Sequence, residues 1–308
     1  MKLRRSFLLW GTVALAGCAH VDPNPAFREL ANTVHLRTGK RAQWNRGSAE
    51  DAQAQSAVTS LLSHPLTADS AMQVALLNND NLQAIYEELG IAQADLVEAG
   101  LLKNPVFYFE RRLPGQAAEI DLVQEFVDIL LLPLRKRIAA AQFEATKLRV
   151  GHEILTTAAE VRAAFYEHQG DQQLVDLRKT VADATERSAE TALKMHEAGN
   201  LRDLDLASEQ ATHAQAKIDL AKAQVNAVQS REKLNKLMGA FGAQTNWTVA
   251  SRLSELPGNE VSTAQLESRA IQQRLDLAAA RQRSRAGEKL PSSNRIIHLI
   301  LFLPFVVQ

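Results

Sequence analysis

The residues most readily recruited to metal or thiol chemistry here are one cysteine and eight histidines. The thiol is Cys18, and the histidines stand at positions 20, 35, 64, 152, 168, 196, 213 and 298. No two histidines fall in H-x-x-x-H, and none sits beside a second ligand at a metal-site spacing. His196 and His213 flank one glycine turn without being level across it. There is no G-x-x-x-x-G-K-[ST] phosphate loop, so nucleotide hydrolysis is not expected. Lys+Arg and Asp+Glu balance at 35 each, which removes a whole-chain electrostatic case for nucleic acid. The expectation is a non-enzyme with no cofactor, no bound metal and no nucleic-acid partner.

The thiol has a more specific context. Lys2, Arg4 and Arg5 form a positive n-region, and Ser6 to Leu15 form a short apolar h-region. This reads as a secretory signal, too short for an ordinary membrane span. Leu15-Ala16-Gly17-Cys18 resembles the bacterial lipobox, in which cleavage before the cysteine leaves a thiol that carries diacylglycerol. The alternative is an ordinary signal with an accidental cysteine. No other cysteine exists for Cys18 to pair with, which favours the lipid attachment. Ala19 in place of an aspartate points, by the same resemblance, to the outer membrane.

Long helices must position whatever follows. Residues 18–64 read as a polar linker with a short helix from about Ala49 to Leu62, broken by Pro65. Thr67 can cap the next helix, which reads through to about Leu101. At Asn104-Pro105 the period changes. Val106, Phe107, Tyr108 and Phe109 are aromatic or β-branched, Pro114-Gly115 signals a turn, and Ile120 to Val127 alternates imperfectly, with Ile120, Leu122 and Phe126 apolar. Two strands joined by a turn follow. Their lengths suit a membrane barrel strand of about 9–11 residues.

Pro133 suits the first turn of a helix. From there to Ala198 the chain holds no further proline, and such a helix would be on the order of 90–100 Å long. Its expected seam includes Ile154, Ala158, Val161, Phe165, Leu174, Leu177 and Val181. Gly199-Asn200 is a turn, with Asp203 as a possible cap. A second helix then runs to about Met238. Its apolar positions, Leu204, Ala207, Ala211, Ala214, Ile218, Ala221, Val225 and Val228, alternate in steps of three and four, a heptad seam half made of alanine. The two helices must return antiparallel, and small seam residues let their backbones approach. So thin a hairpin is expected to lean on the 67–101 helix or on other copies of the chain.

A shift of 195 lays Leu66–Ala71 over Val261–Leu266, and Asn81–Ala84 over Asp276–Ala279. Each copy opens on a hydroxyl cap and continues as an alanine-centred helix. A complete second unit would run well past Gln308. The end instead reads KLPSSNRIIHLILFLPFVVQ from Lys289, where isoleucine, leucine and phenylalanine replace alanine and glutamate. The reading is an out-of-frame tail, with a buried core strand as the alternative. Arg135-Lys136-Arg137 could meet lipid phosphates beside the strands or be a plain solvated run. The expected organisation is 1–17 signal, 18–64 linker and short helix, 65–240 first repeat, 241–287 start of a second repeat, and 288–308 tail.

Taken in order, the LTADSAMQVALLNNDNLQAIYEELGIAQADLVEAGLLKNPVF block, the strand pair, LLLPLRKRIAAAQFEATKLRV and HEAGNLRDLDL resemble the outer membrane factor (TolC-like outer membrane efflux protein) family over about residues 60–287. The resemblance implies a mainly α protomer: long antiparallel coiled-coil hairpins plus a two-stranded β-hairpin, incomplete in its second repeat. It implies a homotrimeric duct in the outer membrane, with helices in the periplasm. The partners would be a periplasmic adaptor, an inner-membrane pump and outer-membrane lipid, in tripartite efflux or type I secretion. Gly199, Asn200 and Leu201 then correspond to the adaptor-docking tip. A truncated remnant that does not conduct, or a scaffolding lipoprotein, are the competing readings. The PLRKRIAAAQ stretch is similar to metal- or drug-efflux members.

Overall fold

The computed structural model describes residues 21–102, 104, 106–112, 117–123, 126–250, 252, 253, 255, 258 and 264–288. Cys18, the Pro114-Gly115 turn and the tail from Lys289 onward lie outside these. In chain order the elements are α1 (Asn24–Thr38), α2 (Ala49–Leu62), α3 (Ala68–Asn78), α4 (Asp80–Ala99), β1 (Val106–Arg112), β2 (Ala117–Val123), α5 (Phe126–Glu197), α6 (Asp203–Met238), α7 (Leu266–Gln273) and α8 (Leu275–Glu288). They fall into two compact units. One holds residues up to Leu30, 85–152 and 267 onward; the other holds 31–84 and 153–266.

Several local expectations need correction. The linker reading of 18–64 missed α1, because Pro23 and Pro25 look like loop residues. Proline is tolerated in a first helical turn, and Ala26, Phe27, Leu30 and Val34 recur at helical spacing and are buried. The single helix expected from Thr67 to Leu101 is two helices with a break at Asn79. The second strand was expected to reach Val127 and to include Phe126. The structure ends β2 at Val123 and puts Phe126 at the start of α5. The run FVDILLLPL carries apolar residues on nearly every position, so alternation could not decide its period. Pro133, expected in the first turn, lies inside the helix.

In the unit of residues 31–84 and 153–266, α2 and α3 pack on the root of the α5–α6 hairpin. Val58, Ala71, Val74 and Ala75 join Val161, Phe165, Leu234, Met238 and Trp247 in one core. Thr67 caps α3 as expected: its hydroxyl accepts from the Ser70 N–H at 3.0 Å, and Ser70 Oγ accepts from the Thr67 N–H at 2.8 Å. An extended run from Arg41 to Asn45 is clamped by two glutamines. Gln73 exchanges a pair of hydrogen bonds with the Arg41 backbone, at 3.0 and 2.9 Å. Gln83 accepts from the Asn45 N–H at 2.8 Å and donates to the Gln43 carbonyl at 2.9 Å.

The break at Asn79 explains the geometry around it. Asn79 Oδ1 accepts from the N–H groups of Asn81 and Leu82 at 2.8 and 3.2 Å, capping α4. Its Nδ2 donates to the Leu237 carbonyl at 2.7 Å, and Asn78 Nδ2 donates to the Gly239 carbonyl at 2.7 Å. Both asparagines are buried. The last turn of α6 is therefore seated on the α3–α4 break through its own orphan carbonyls. The same break recurs 195 residues on: α7 and α8 separate at Arg274, the position that matches Asn79.

In the other unit, Phe27 meets Tyr86 edge-on with ring centroids 5.1 Å apart. Lys147 Nζ donates to Glu29 at 2.8 Å and to Glu144 at 3.1 Å, and Arg149 donates to Glu88. A Cβ on Gly151 would come within 2.8 Å of a Leu30 methyl and 3.0 Å of a Leu275 methyl, so α1 and α8 both close on α5 there.

Gly239 has φ +66°, and a Cβ there would lie 2.4 Å from the Asn78 carbonyl oxygen and 2.8 Å from the Asn79 Cα. Gly239→Ala is expected to cost at least about 3 kcal/mol, read as a lowered urea midpoint. Gly199→Ala shares a positive φ, but its Cβ would meet nothing within 4 Å. It should cost only about 1 kcal/mol. Equal losses at the two sites would show that backbone conformation alone, and not the seat on Asn78, sets the cost.

Candidate functional site

Two places carry the residues singled out from the sequence: the tip of the α5–α6 hairpin and the strand pair. At the tip, α5 ends in a Schellman motif. The Asn200 N–H donates to the Met195 carbonyl and the Gly199 N–H to the His196 carbonyl, both at 2.8 Å, with Gly199 at φ +78°. Leu201 is half-buried, and its carbonyl accepts from His196 Nδ1 at 2.9 Å. His196 Nε2 lies 3.5 Å from Asp203 Oδ1. Asp203 is not the cap it was expected to be. Arg202 occupies that position without a side-chain cap bond, and it pairs instead with Asp205 at 2.8 and 3.0 Å. The tip is thus a compact turn presenting Gly199 and Asn200 outermost.

The hairpin seam differs from the one read in the sequence. In α5 the residues facing α6 are His168, Asp171, Val175, Arg178, Ala182, Thr185, Ala189, Ala192 and His196, spaced three and four. In α6 they are Leu206, Glu209, His213, Ala216, Leu220, Ala223, Ala227, Ser230 and Leu234, at the same spacing. Cross-pairs mark the register. Ser188 donates to Glu209 at 2.7 Å, Thr185 Oγ1 meets His213 Nδ1 at 3.3 Å, and Arg178 lies 3.5 Å from Asp219. The larger apolar residues of the expected α6 seam are instead exposed, Leu204 at 73%, Ile218 at 50%, Val225 at 55% and Val228 at 61%, with Leu177 at 58% on α5, whereas Ile154, Ala158, Val161 and Phe165 of the expected α5 seam are buried. Hydrophobicity named the wrong face because alanine, serine and histidine make a closer backbone approach than isoleucine and valine allow.

Near the hairpin root His168 is fully buried. Its Nδ1 lies 3.1 Å from Ser230 Oγ, and Ser230 donates to the Ala227 carbonyl at 3.2 Å. The ring meets Trp247 edge-on at 5.3 Å, and the Arg231 guanidinium stacks 4.0 Å above that indole. Trp247 Nε1 donates to Asn235 Oδ1 at 2.8 Å. Among the described residues, His168 Nε2 has no hydrogen-bond partner. Burial, reinforced by the Arg231 charge, pushes the imidazole below its ordinary value, while the Ala227 carbonyl and Asp171 pull the other way. Nothing in the local sequence around His168 marks it as buried.

The strands pair antiparallel, with Phe107 opposite Leu122, Tyr108 opposite Asp121, Phe109 opposite Ile120 and Val106 opposite Val123.

No family model matches the chain. The cobalt-zinc-cadmium resistance protein CzcC of Cupriavidus metallidurans is 27% identical over 186 residues, which cover 58% of this chain and 44% of CzcC. A crystallised membrane protein of Pseudomonas aeruginosa has a TM-score of 0.59 at 19% identity, over 71% of this chain and 55% of that one. The CmeC outer membrane channel of Campylobacter jejuni has a TM-score of 0.58 at 13% identity, over 71% of this chain and 51% of its own. The chain is thus similar in sequence to CzcC and shares its fold with the CmeC outer membrane channel.

The chain spans less than half the length of CzcC. Among the described residues no helix is long and apolar enough to cross a membrane, and no group of three or more His, Cys, Asp or Glu could hold a metal ion.

The His168 environment sets a pH dependence. The unfolded chain titrates this imidazole near about 6.5. The folded value is lower, so below about pH 6.5 the unfolded state binds more protons. Stability contributed by neutral His168 should be present above that pH and fall as the pH drops through the lower folded value. Urea midpoints at pH 7.5 and 5.0 should converge in His168→Gln relative to the wild type. An unchanged pH slope in the variant would place the acid sensitivity elsewhere.

Proposed function

We propose that this chain is the outer-membrane channel component of a tripartite efflux or type I secretion system. The observation that carries the reading is the order of its parts. A strand pair feeds directly into a 72-residue helix, which turns at Gly199 into a 36-residue return helix. An antiparallel strand pair suits a barrel wall, and barrel strands satisfy their backbones in lipid only when the wall is closed. One such pair stands among the described residues, so closure requires further strands, which fits a homotrimer. The exposed stripes on α5 and α6 fit lateral packing of hairpins against one another.

Cys18 would carry diacylglycerol and anchor the chain in the outer membrane, with α5 and α6 in the periplasm. Gly199, Asn200 and Leu201 would dock the hairpins of a periplasmic adaptor, which in turn engages an inner-membrane pump. Passage through the duct would be passive. The name of CzcC points to divalent metal cations as cargo.

A photo-crosslinking residue at Asn200, compared with one at exposed Lys179, tests the docking. The expected result is a covalent adduct with a periplasmic adaptor from position 200 alone, in cells whose outer-membrane fraction holds the chain. Adducts of equal yield from both positions would favour a scaffold that binds partners along its whole coiled coil. A chain absent from the outer membrane would sink the channel reading altogether.

A further inference from the structure

The first helix turns after the strands carry an order of side chains that helical hairpins in water do not need. Ile129 and Leu130 are exposed at 41% and 50%. Exposed Lys136 and Arg137 follow on the same helix. Leu130 and Arg137 are about 10 Å apart along the axis at 1.5 Å per residue. A headgroup layer is about 5–8 Å thick on each side of the hydrocarbon. Apolar residues toward the strands and cations one headgroup depth beyond are the sequence of environments met when leaving a bilayer.

A second helix brings more positive charge to the same place. Leu275 meets α5 at Gly151, and Arg285 meets it near Leu134 and Arg137, so α8 runs antiparallel to α5. Its exposed Arg281, Arg283 and Arg285 therefore rise toward the strand side. Between the helices lies an open groove of about 370 Å³. Arg137 and Arg285 stand at its rim, Leu134, Ile138 and Ala141 line its wall, and Gln282 adds an amide. One carboxylate, Glu144, also borders it. That charge is taken up by Lys147 at 2.9 Å. Among the described residues neither Arg137 nor Arg285 has an ion-pair partner.

We propose that this groove is a headgroup site for an anionic phospholipid, with Arg137 and Arg285 clamping the phosphate and Leu134 and Ile138 taking the first methylenes of an acyl chain. Guanidinium groups match phosphate oxygens in two-point geometry, which lysines would not. The apolar wall distinguishes a lipid from free phosphate, which has nothing to place there. The inference rests on the outer-membrane reading above, because it needs the strand end of α5 to lie at a bilayer.

Flotation of the full-length chain with vesicles tests it. Phosphatidylcholine vesicles read insertion. Vesicles with phosphatidylglycerol at a 7:3 ratio read the headgroup site, as the ratio of the two affinities. Each cation near an anionic surface is worth about 1 kcal/mol, or about 5-fold. Arg137→Gln/Arg285→Gln should cut the phosphatidylglycerol preference by about 25-fold and leave binding to phosphatidylcholine unchanged. Lys179→Gln/Arg187→Gln removes the same net charge from the hairpin and should keep the preference. Equal loss in both paired variants, or a wild type with no preference, overturns the site. A wild type that floats only with phosphatidylglycerol supports the site while sinking the insertion that the channel reading requires.

Discussion

The seat of Gly239 on Asn78 and Asn79 is the contact on which the long hairpin depends. A two-helix hairpin buries little by itself, so its direction must be set where it joins the packed helices. The join is polar and nearly free of side-chain slack. Two buried amide groups take the last carbonyls of α6, and only a residue without a Cβ can stand where Gly239 does. The α3–α4 break is then more than an interruption. Asn79 ends one helix, caps the next and holds a third, so three requirements meet in one side chain.

Beyond the root, the hairpin is held by size more than by hydrophobicity. Alanines at 182, 192, 216, 223 and 227 are buried between its helices, and serine, threonine and histidine fill the places between them. Ser188 with Glu209, Thr185 with His213, Arg178 with Asp219 and His168 with Ser230 pair polar groups across the gap, which lowers the cost of a polar seam. The larger apolar residues are turned outward. They form the part of the surface that association can bury, and this division of labour links the packing within one chain to the assembly proposed for several.

At the other end the same helix meets a different constraint. The stretch from Phe126 to Leu134 is apolar except at Asp128 and carries a proline at its eighth residue, yet it is helical. Arg135 donates to the Asp128 carbonyl at 3.3 Å, one turn before Pro133. A helix that begins so close to a strand, with exposed apolar residues and then cations, is built for a graded environment.

Much of this architecture was legible in composition and spacing. Thr67 before a helical run, the Ala49–Leu62 helix, the change of period at Asn104 and the Gly199 turn all rest on local rules: caps, turn residues and periodicity act within a few residues. The family resemblance rested on the order of those blocks. What the tertiary structure alone decided was which face of each helix is inward, where a helix breaks, and what a polar residue is for. Asn79, Gln73, Gln83 and His168 look like solvated residues in the sequence. Their partners stand roughly 30 to 160 positions away, and no local rule reaches that far. The exposed Ile218 and Val225 show the same limit from the other side. A heptad records that a stripe is apolar, but whether it packs within its own hairpin depends on how closely the backbones approach, and small residues on the opposite stripe set that distance.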